Sequence, residues 1–445
     1  MYIKKSVNIH TILHNLIKTY ELNKFLPKLI FTGDSMGQEF LKIKDPEDAE
    51  DIISTLPILK KVEKVSLVEA YRRVLAEDVY ATIDLPPFRR AAMDGYALKS
   101  KDTFNTSEDN PAQLKLLDVV TAGKIPQMKV EHGACIEVST GAPIPEGADA
   151  VVMIEYAEKE DDYVSVLESV PLNANITAQG SDVKEGELLL EEGERITADK
   201  IGVLSAIAMQ LVPVYTQPKV AVISTGNEII KHQEKLDYAK IYDINSYTLS
   251  NAVKACGCIP IHSEIVKDDY NSLKNAILKF KDADIIITSG GTSAGTGDNL
   301  KVVLDELGDV LIHGIAVKPG KPTIVGLIKT NSVNHQIIFG LPGYPVSALM
   351  IFHIFVAPFL RKMACIGENE VERNIKQYKL SRRYIPSRGR KQYLLVKIKD
   401  GQAHPILKDS GAITSLAEAD GYFIIPKNVE MIEQGTLVDV YSLDN

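Results

Sequence analysis

The sequence predicts a multidomain chain in which an α/β domain is flanked by β-rich segments, and three observations carry this. The length of 445 residues corresponds to about three domains at roughly 150 residues each. Between 218 and 366, continuous apolar runs alternate with helical periodicity, as in 219-KVAVIS-224, 259-IPIHSEIV-266 and 284-DIIIT-288. Runs that are apolar on both faces suit a parallel sheet covered by helices. On either side the text is β, with 114-LKLLDVV-120 and 150-AVVMIEYAE-158 before this region and 392-QYLLVKIK-399, 421-GYFIIP-426 and 437-LVDVYSL-443 after it. Gly and Pro turns separate these runs.

Taken in order, residues 1–45 read as an N-terminal extension. Met36 would serve as an ordinary start, so this stretch is either an appendage or an upstream misreading of the start codon. Residues 46–83 contain a helix, a link, a second helix and an extended segment that Pro86 and Pro87 end. Residues 84–180 are β-rich. A further β turn, 185-EGELLLEEGE-194, precedes a helix from about 199, with Thr197 or Asp199 as its cap. Within 218–366 a helix over 246–256 stops at Gly257, which suits a left-handed position. A second helix presents Leu273, Ala276, Ile277 and Phe280 on one face. A third covers 299–307 and leads to a strand at 310–317. Such alternation implies an open parallel sheet, with ligands at the carboxyl ends of its strands. Residues 367–445 suit a small barrel or sandwich.

A net charge of −9 argues against broad nucleic-acid binding, which needs dense Lys and Arg. Of the four cysteines at 135, 256, 258 and 365, only Cys256 and Cys258 are close, and no second pair completes a zinc site. Reduced thiols in a cytoplasmic protein follow. His10, His14 and Lys18 interrupt any signal-peptide pattern. The run 346-VSALMIFHIFVAPFL-360 carries His353 and Pro358 and is short for about 30 Å of hydrocarbon. A buried helix is expected there, and no membrane partner.

Five loops fall at strand ends: 224-STGNE-228, 266-VKDDY-270, 288-TSGGTSAGTGD-298, 317-VKPGKP-322 and 340-GLPGYPVS-347. In the third, Gly290, Gly291, Gly295 and Gly297 exceed the needs of a turn and let backbone N–H groups face an anion. The helix starting near Asn299 adds favourable partial charge. Ser289, Gly290, Gly291, Thr292 and Ser293 are the expected phosphate cradle. Lys318 and Lys321 supply charge from the neighbouring loop, and Pro342 and Pro345 stiffen the last one. Neither GxGxxG nor GxxxxGK[ST] is present, so dinucleotide and Walker-type readings are poor. Glu228, Asp268 and Asp298 sit on three of the loops. Carboxylates facing phosphate need an intervening cation, and Mg²⁺ is the economical one, stabilising charge in phosphoryl-type transfer. Helix capping is the competing role for each, and either Asp268 or Asp269 could cap the helix that follows. Outside this domain, Asp94, Thr140 and Glu155 have no evident local structural need, while Arg89 and Arg90 could pair with anions or simply be exposed.

MDGYA (93–97), TGAPIPEGADAVV (140–152), STGNE (224–228), YDINS (242–246), SGGTS (289–293), KPGKP (318–322), LPGYPVSA (341–348) and SLAEADG (415–421) together resemble the molybdopterin molybdenumtransferase family, the MoeA proteins and the gephyrin E domain. The resemblance covers about 46–443. It implies a three-layer α/β molybdopterin-binding domain at 218–366 and a β-rich insertion domain at 84–180. It also implies a discontinuous linker domain from 46–83 with 181–217, and a C-terminal β-barrel at 367–445. An elongated homodimer is implied, in which Asp94 and Thr140 complete the partner's site. The implied reaction inserts molybdate into adenylylated molybdopterin with release of AMP, assisted by Mg²⁺. Asp94, Thr140, Glu228, Asp268 and Asp298 match functional positions of the family, and Lys318 and Lys321 match its anion-binding loop. Arg89, Ala91, Thr177, Asn227 and Tyr344 depart from its usual residues. The TSAGTGD and LPGYP forms look archaeal, which makes tungstate an alternative substrate. A scaffold role and an ATP-consuming adenylyltransferase are the competing functions.

Overall fold

The computed structural model describes residues 42–290, 298–329, 335–367 and 375–443. Strands β1 (Lys219–Thr225), β2 (Ile259–Val266), β3 (Ile285–Ser289), β4 (Gly308–His313), β5 (Ile324–Lys329) and β6 (His335–Leu341) form one sheet in the order β2-β1-β3-β6-β5-β4. β1 runs parallel to β2 and β3, and β3 to β6. β5 and β4 close that edge antiparallel. The expected parallel sheet is therefore mixed. Its extra strand, β5, was not foreseen, and it makes the hairpin with β6.

Alternate residues of each strand face opposite helices, as the two-residue period of a strand requires. Val220 and Val222 of β1, Ile285 and Ile287 of β3 and Phe339 of β6 share a core with Leu249 and Val253 of α1 (Asn245–Ala255) and Val346 and Met350 of α4 (Pro345–Ile351). Ala221, Ile223, Ile286 and Ile338 face the other way. They pack on Leu273 and Ile277 of α2 (Tyr270–Lys279) and Leu300 and Val303 of α3 (Asn299–Leu307). This is a three-layer arrangement, and each fully buried Leu or Ile in it contributes about 2 kcal/mol.

Helix α4 continues through a π turn, Phe352–Val356, into Ala357–Met363. The helical run Pro345–Met363 is thus 19 residues long, with a mean hydropathy of 1.5. That is longer than expected, and it passes the length criterion for a membrane span. Burial decides its role, because 72% of its most apolar 18-residue stretch lies inside the molecule.

The strand expected at 310–317 stops at His313, where Gly314 takes φ +99°. Val317–Lys318 leaves the α/β sheet and pairs in parallel with Lys391 and Gln392. It thereby joins a closed barrel made of 375–380, 391–399, 402–405, 421–425 and 437–442.

A second six-stranded sheet takes 150–153, 95–98, 134–138, 112–120, 163–166 and 157–160 in that order. Strand Val62–Ser66 pairs with Leu211–Tyr215, and Val79–Tyr80 with Leu188–Leu190. Ala70, Leu75 and Val79 share one core with Ile196, Leu204 and Val212, so two distant pieces of chain fold together. The helix Pro46–Ser54 buries Ala49 and Ile53 in the core common to the α/β sheet and the barrel.

Candidate functional site

The carboxyl ends of β1, β3 and β6 surround a cavity of about 580 Å³. Glu228, Asp243, Asn245, Asp268, Ser289 and Gly290 line it, together with Pro342, Tyr344 and Pro345. The backbone makes this possible at Gly290, which takes φ +100°. A Cβ there would lie 2.1 Å from the carbonyl oxygen of Thr225, so β1 and the glycine loop can approach only with glycine at this position.

The start of α1 ties the loops together. Asn245 Nδ2 donates to Ser289 Oγ at 2.7 Å and to the Gly343 carbonyl at 2.8 Å. Ser289 Oγ in turn donates to the Pro342 carbonyl at 3.1 Å. Asn245 Oδ1 is buried without a hydrogen-bond partner among the described residues. Asp243 is 4% exposed and accepts from Ser224 Oγ and from the Ser246 amide and hydroxyl. Sequence reasoning did not single out either residue as functional. The ordered YDINS motif was the available signal.

Each of the three expected metal ligands has a different environment. Glu228 is exposed and lines the cavity. Asp268 lines it half-buried, with its side chain and carbonyl accepting from Asn299 Nδ2. Asp269 takes the capping role, accepting from the Ser272 amide at 2.9 Å, and that bond holds its carboxyl below the usual range. Asp298 caps α3 through the Lys301 amide at 3.2 Å, and its other oxygen lies 3.0 Å from His313 Nε2. Burial raises the Asp298 carboxyl pKa, and the His313 contact opposes the rise. Among the described residues no three acids, histidines or cysteines converge on one point. Glu228, Asp268 and Asp298 therefore do not form a closed protein cage. Two carboxylates facing a cavity roomy enough for a phosphorylated ligand still suit Mg²⁺, which commonly binds one or two carboxylates plus substrate oxygens.

A second cavity of about 490 Å³ adjoins the first. Pro322 lines both, as does the start of the long helix, through Pro345 in one and Val346 and Ser347 in the other. Lys318, Lys321, Arg390 and Lys408 face it against Asp409 alone among the acids. The barrel pairing of Val317 and Lys318 with Lys391 and Gln392 brings the neighbouring Arg390 to the same cavity as Lys318. Gly320, at φ +103°, lies so close to Ile351 that a Cβ would come within 2.2 Å of Cγ1. Tyr393 Oη and Ser415 Oγ are buried on this cavity's wall, without partners among the described residues. Arg390, Lys408, Tyr393 and Ser415 were missed as site residues, because nothing in a linear reading puts the barrel against the KPGKP loop; only Ser415 had a signal, as the first residue of the SLAEADG motif.

Asp94 and Thr140 meet each other instead. Thr140 donates to Asp94 Oδ1 from its amide at 2.5 Å and its hydroxyl at 2.8 Å, which keeps that carboxyl below its ordinary range. Both are exposed, on loops flanking strands 95–98 and 134–138 of the second sheet, and neither lines the α/β cavities. The expected cradle residues Gly291, Thr292 and Ser293 lie outside the described residues.

Three family descriptions match the chain. Residues 44–208 match the MoeA N-terminal region (domain I and II), 221–362 a probable molybdopterin binding domain, and 377–443 the MoeA C-terminal region (domain IV). A relative from Methanocaldococcus jannaschii, named as a molybdopterin biosynthesis protein, is 38% identical over 86% of this chain and 93% of its own length. The molybdopterin molybdenumtransferase of Bacillus subtilis is 32% identical over 85% and 89% respectively. Two crystal structures of MoeA proteins from Pyrococcus horikoshii superpose with TM-scores of 0.79 and 0.71, at 38% and 32% identity. They cover 91% and 90% of this chain and all of each solved chain. The chain belongs to the MoeA family, the molybdopterin molybdenumtransferases.

Proposed function

We propose that this protein is a molybdopterin molybdenumtransferase, which takes adenylylated molybdopterin and molybdate or tungstate, inserts the metal into the dithiolene and releases AMP as water hydrolyses the phosphoanhydride. The observation that carries this is the pairing of two cavities. One is lined by carboxylates and a glycine-permitted backbone, the other by four cations, and they meet at Pro322 and the start of α4. The first suits a phosphoanhydride that needs a divalent cation, and the second suits a free oxyanion.

Glu228 and Asp268 would hold Mg²⁺, which when bound offsets charge on the phosphate oxygens as the anhydride opens. The backbone at Ser289 and Gly290 positions the phosphate, and Asn245 fixes the loops around it. Lys318, Lys321 and Arg390 attract the oxyanion and fix its orientation. Asp298, locked by His313 and the Lys301 amide, shapes the start of α3 beside Asp268. Asp94 and Thr140 act from the partner subunit of a homodimer. We read the described chain as four units: 46–83 with 181–217, 84–180, 218–366 and 367–445. Residues 1–45 are read as an extension, and the enzyme as cytoplasmic.

The test is single-turnover AMP release from adenylylated molybdopterin by the purified protein with Mg²⁺. Release that depends on molybdate or tungstate is expected, with metal appearing in the pterin product. Equal release without either oxyanion, and no metal incorporated, would overturn the assignment.

A further inference from the structure

A third cavity, of about 580 Å³, lies away from both of these. It opens between the helix Pro46–Ser54, Tyr215 and the last turns of the long helix, with Ile53, Ile354, Phe355 and Phe359 as apolar walls. Its size falls within the roughly 300–1,000 Å³ of small-molecule sites.

One wall residue lacks a structural explanation. Arg361 is 9% exposed, and among the described residues its guanidinium has no hydrogen-bond or ion-pair partner. It is not needed to cap its helix. The carbonyls of Leu360, Arg361 and Lys362 already accept from the amides of Ala364, Ile366 and Cys365. None of the Arg361 guanidinium nitrogens is among the fully buried unpartnered polar atoms, so the head group stays accessible from the cavities it lines, this one and two beside His353, and can take an anion there.

The other charged groups on the wall are engaged elsewhere or make no pair with Arg361. Lys60 sits over the Tyr215 ring at 5.3 Å, and Lys362 Nζ reaches the Ser54 carbonyl at 3.5 Å. Glu192 accepts from the Tyr215 hydroxyl. Glu50, whose carboxyl pKa burial raises, makes no ion pair with the guanidinium among the described residues.

We propose that this cavity is a ligand site for a small molecule with an apolar body and a carboxylate head, the head paired with Arg361 and the body lying against Ile53, Phe355 and Phe359. The guanidinium fork matches a carboxylate in two parallel hydrogen bonds. The site is independent of the transferase reading and shares no lining residue with the acidic cavity.

Cys365 reports on it. That thiol is on the cavity wall and half-buried, whereas Cys135, Cys256 and Cys258 are buried. The experiment follows alkylation of Cys365 by iodoacetamide, read by mass spectrometry, with benzoate, phenylacetate and octanoate as probes. Acetate and benzyl alcohol serve as controls lacking the body or the charge. At least one probe slows alkylation saturably while the controls do not. Arg361→Gln raises the half-protecting concentration about tenfold or more, and Glu228→Gln leaves it unaltered. Arg361→Lys, which keeps the charge and loses the fork, carries the same comparison should Arg361→Gln not fold. The proposal fails if no probe protects the wild-type chain, if benzyl alcohol protects as well as the acids, or if a folded Arg361 variant keeps the wild-type half-protecting concentration.

Discussion

Asp268 and Asp269 are chemically identical neighbours with different tasks. Asp269 caps α2 through the Ser272 amide and hydroxyl, while Asp268 is left facing the cavity. Capping requires one side-chain oxygen within reach of the third amide of the helix, and only the residue directly before Tyr270 has it. Substitution should separate the two roles. Asp268→Asn is expected to slow AMP release by about 10²-fold and weaken its Mg²⁺ dependence, with thermal unfolding nearly unchanged. Asp269→Ala should do the reverse, lowering the unfolding temperature while turnover stays close to wild type. Stopped assays of AMP, paired with melting curves of both variants, check the assignment. Sequence reading named both acids as possible caps and placed only Asp268 at the site; which one caps depends on where the helix begins.

At the scale of the element, the long helix shows how burial overrides composition. Its π turn at Phe352–Val356 lies just before Pro358, which lacks an N–H and crowds the carbonyl four residues earlier. The turn carries His353, whose pKa is pushed from 6.5 down to about 4, first by burial and then by the charge of Arg361. The folded chain then binds fewer protons than the unfolded chain between these two values. Stability is complete above the unfolded pKa of 6.5 and is lost as pH falls towards about 4. The loss is at most about 3 kcal/mol. Replacing His353 with Leu should flatten the stability profile across that window, as read from urea midpoints at successive pH values. An unchanged slope would place the acid sensitivity elsewhere.

For the whole molecule, the second sheet holds Asp94 and Thr140 as a pair that lines neither α/β cavity. If these residues serve the partner's site, two inactive chains can rescue each other. Co-expressed Asp94→Asn and Asp268→Asn chains, pairing at random, should recover about a quarter of wild-type activity, since half the dimers carry one intact site of two. No recovery, in dimers shown to mix, would confine both residues to one chain.

Residue order alone determined a good deal about this protein. The apolar runs at 219–224 and 284–288, the glycines of the third loop and the lysines of KPGKP were legible because strand period, left-handed turns and charge are local properties. Tertiary structure alone decided that β5 turns the sheet edge antiparallel, that Asp298 is pinned by His313, and that the barrel brings Arg390 to the cavity lined by Lys318. It alone decided that Arg361 is buried without a partner among the described residues. Each of these depends on contacts between residues far apart in the chain, where packing and desolvation set the outcome and no local pattern records it.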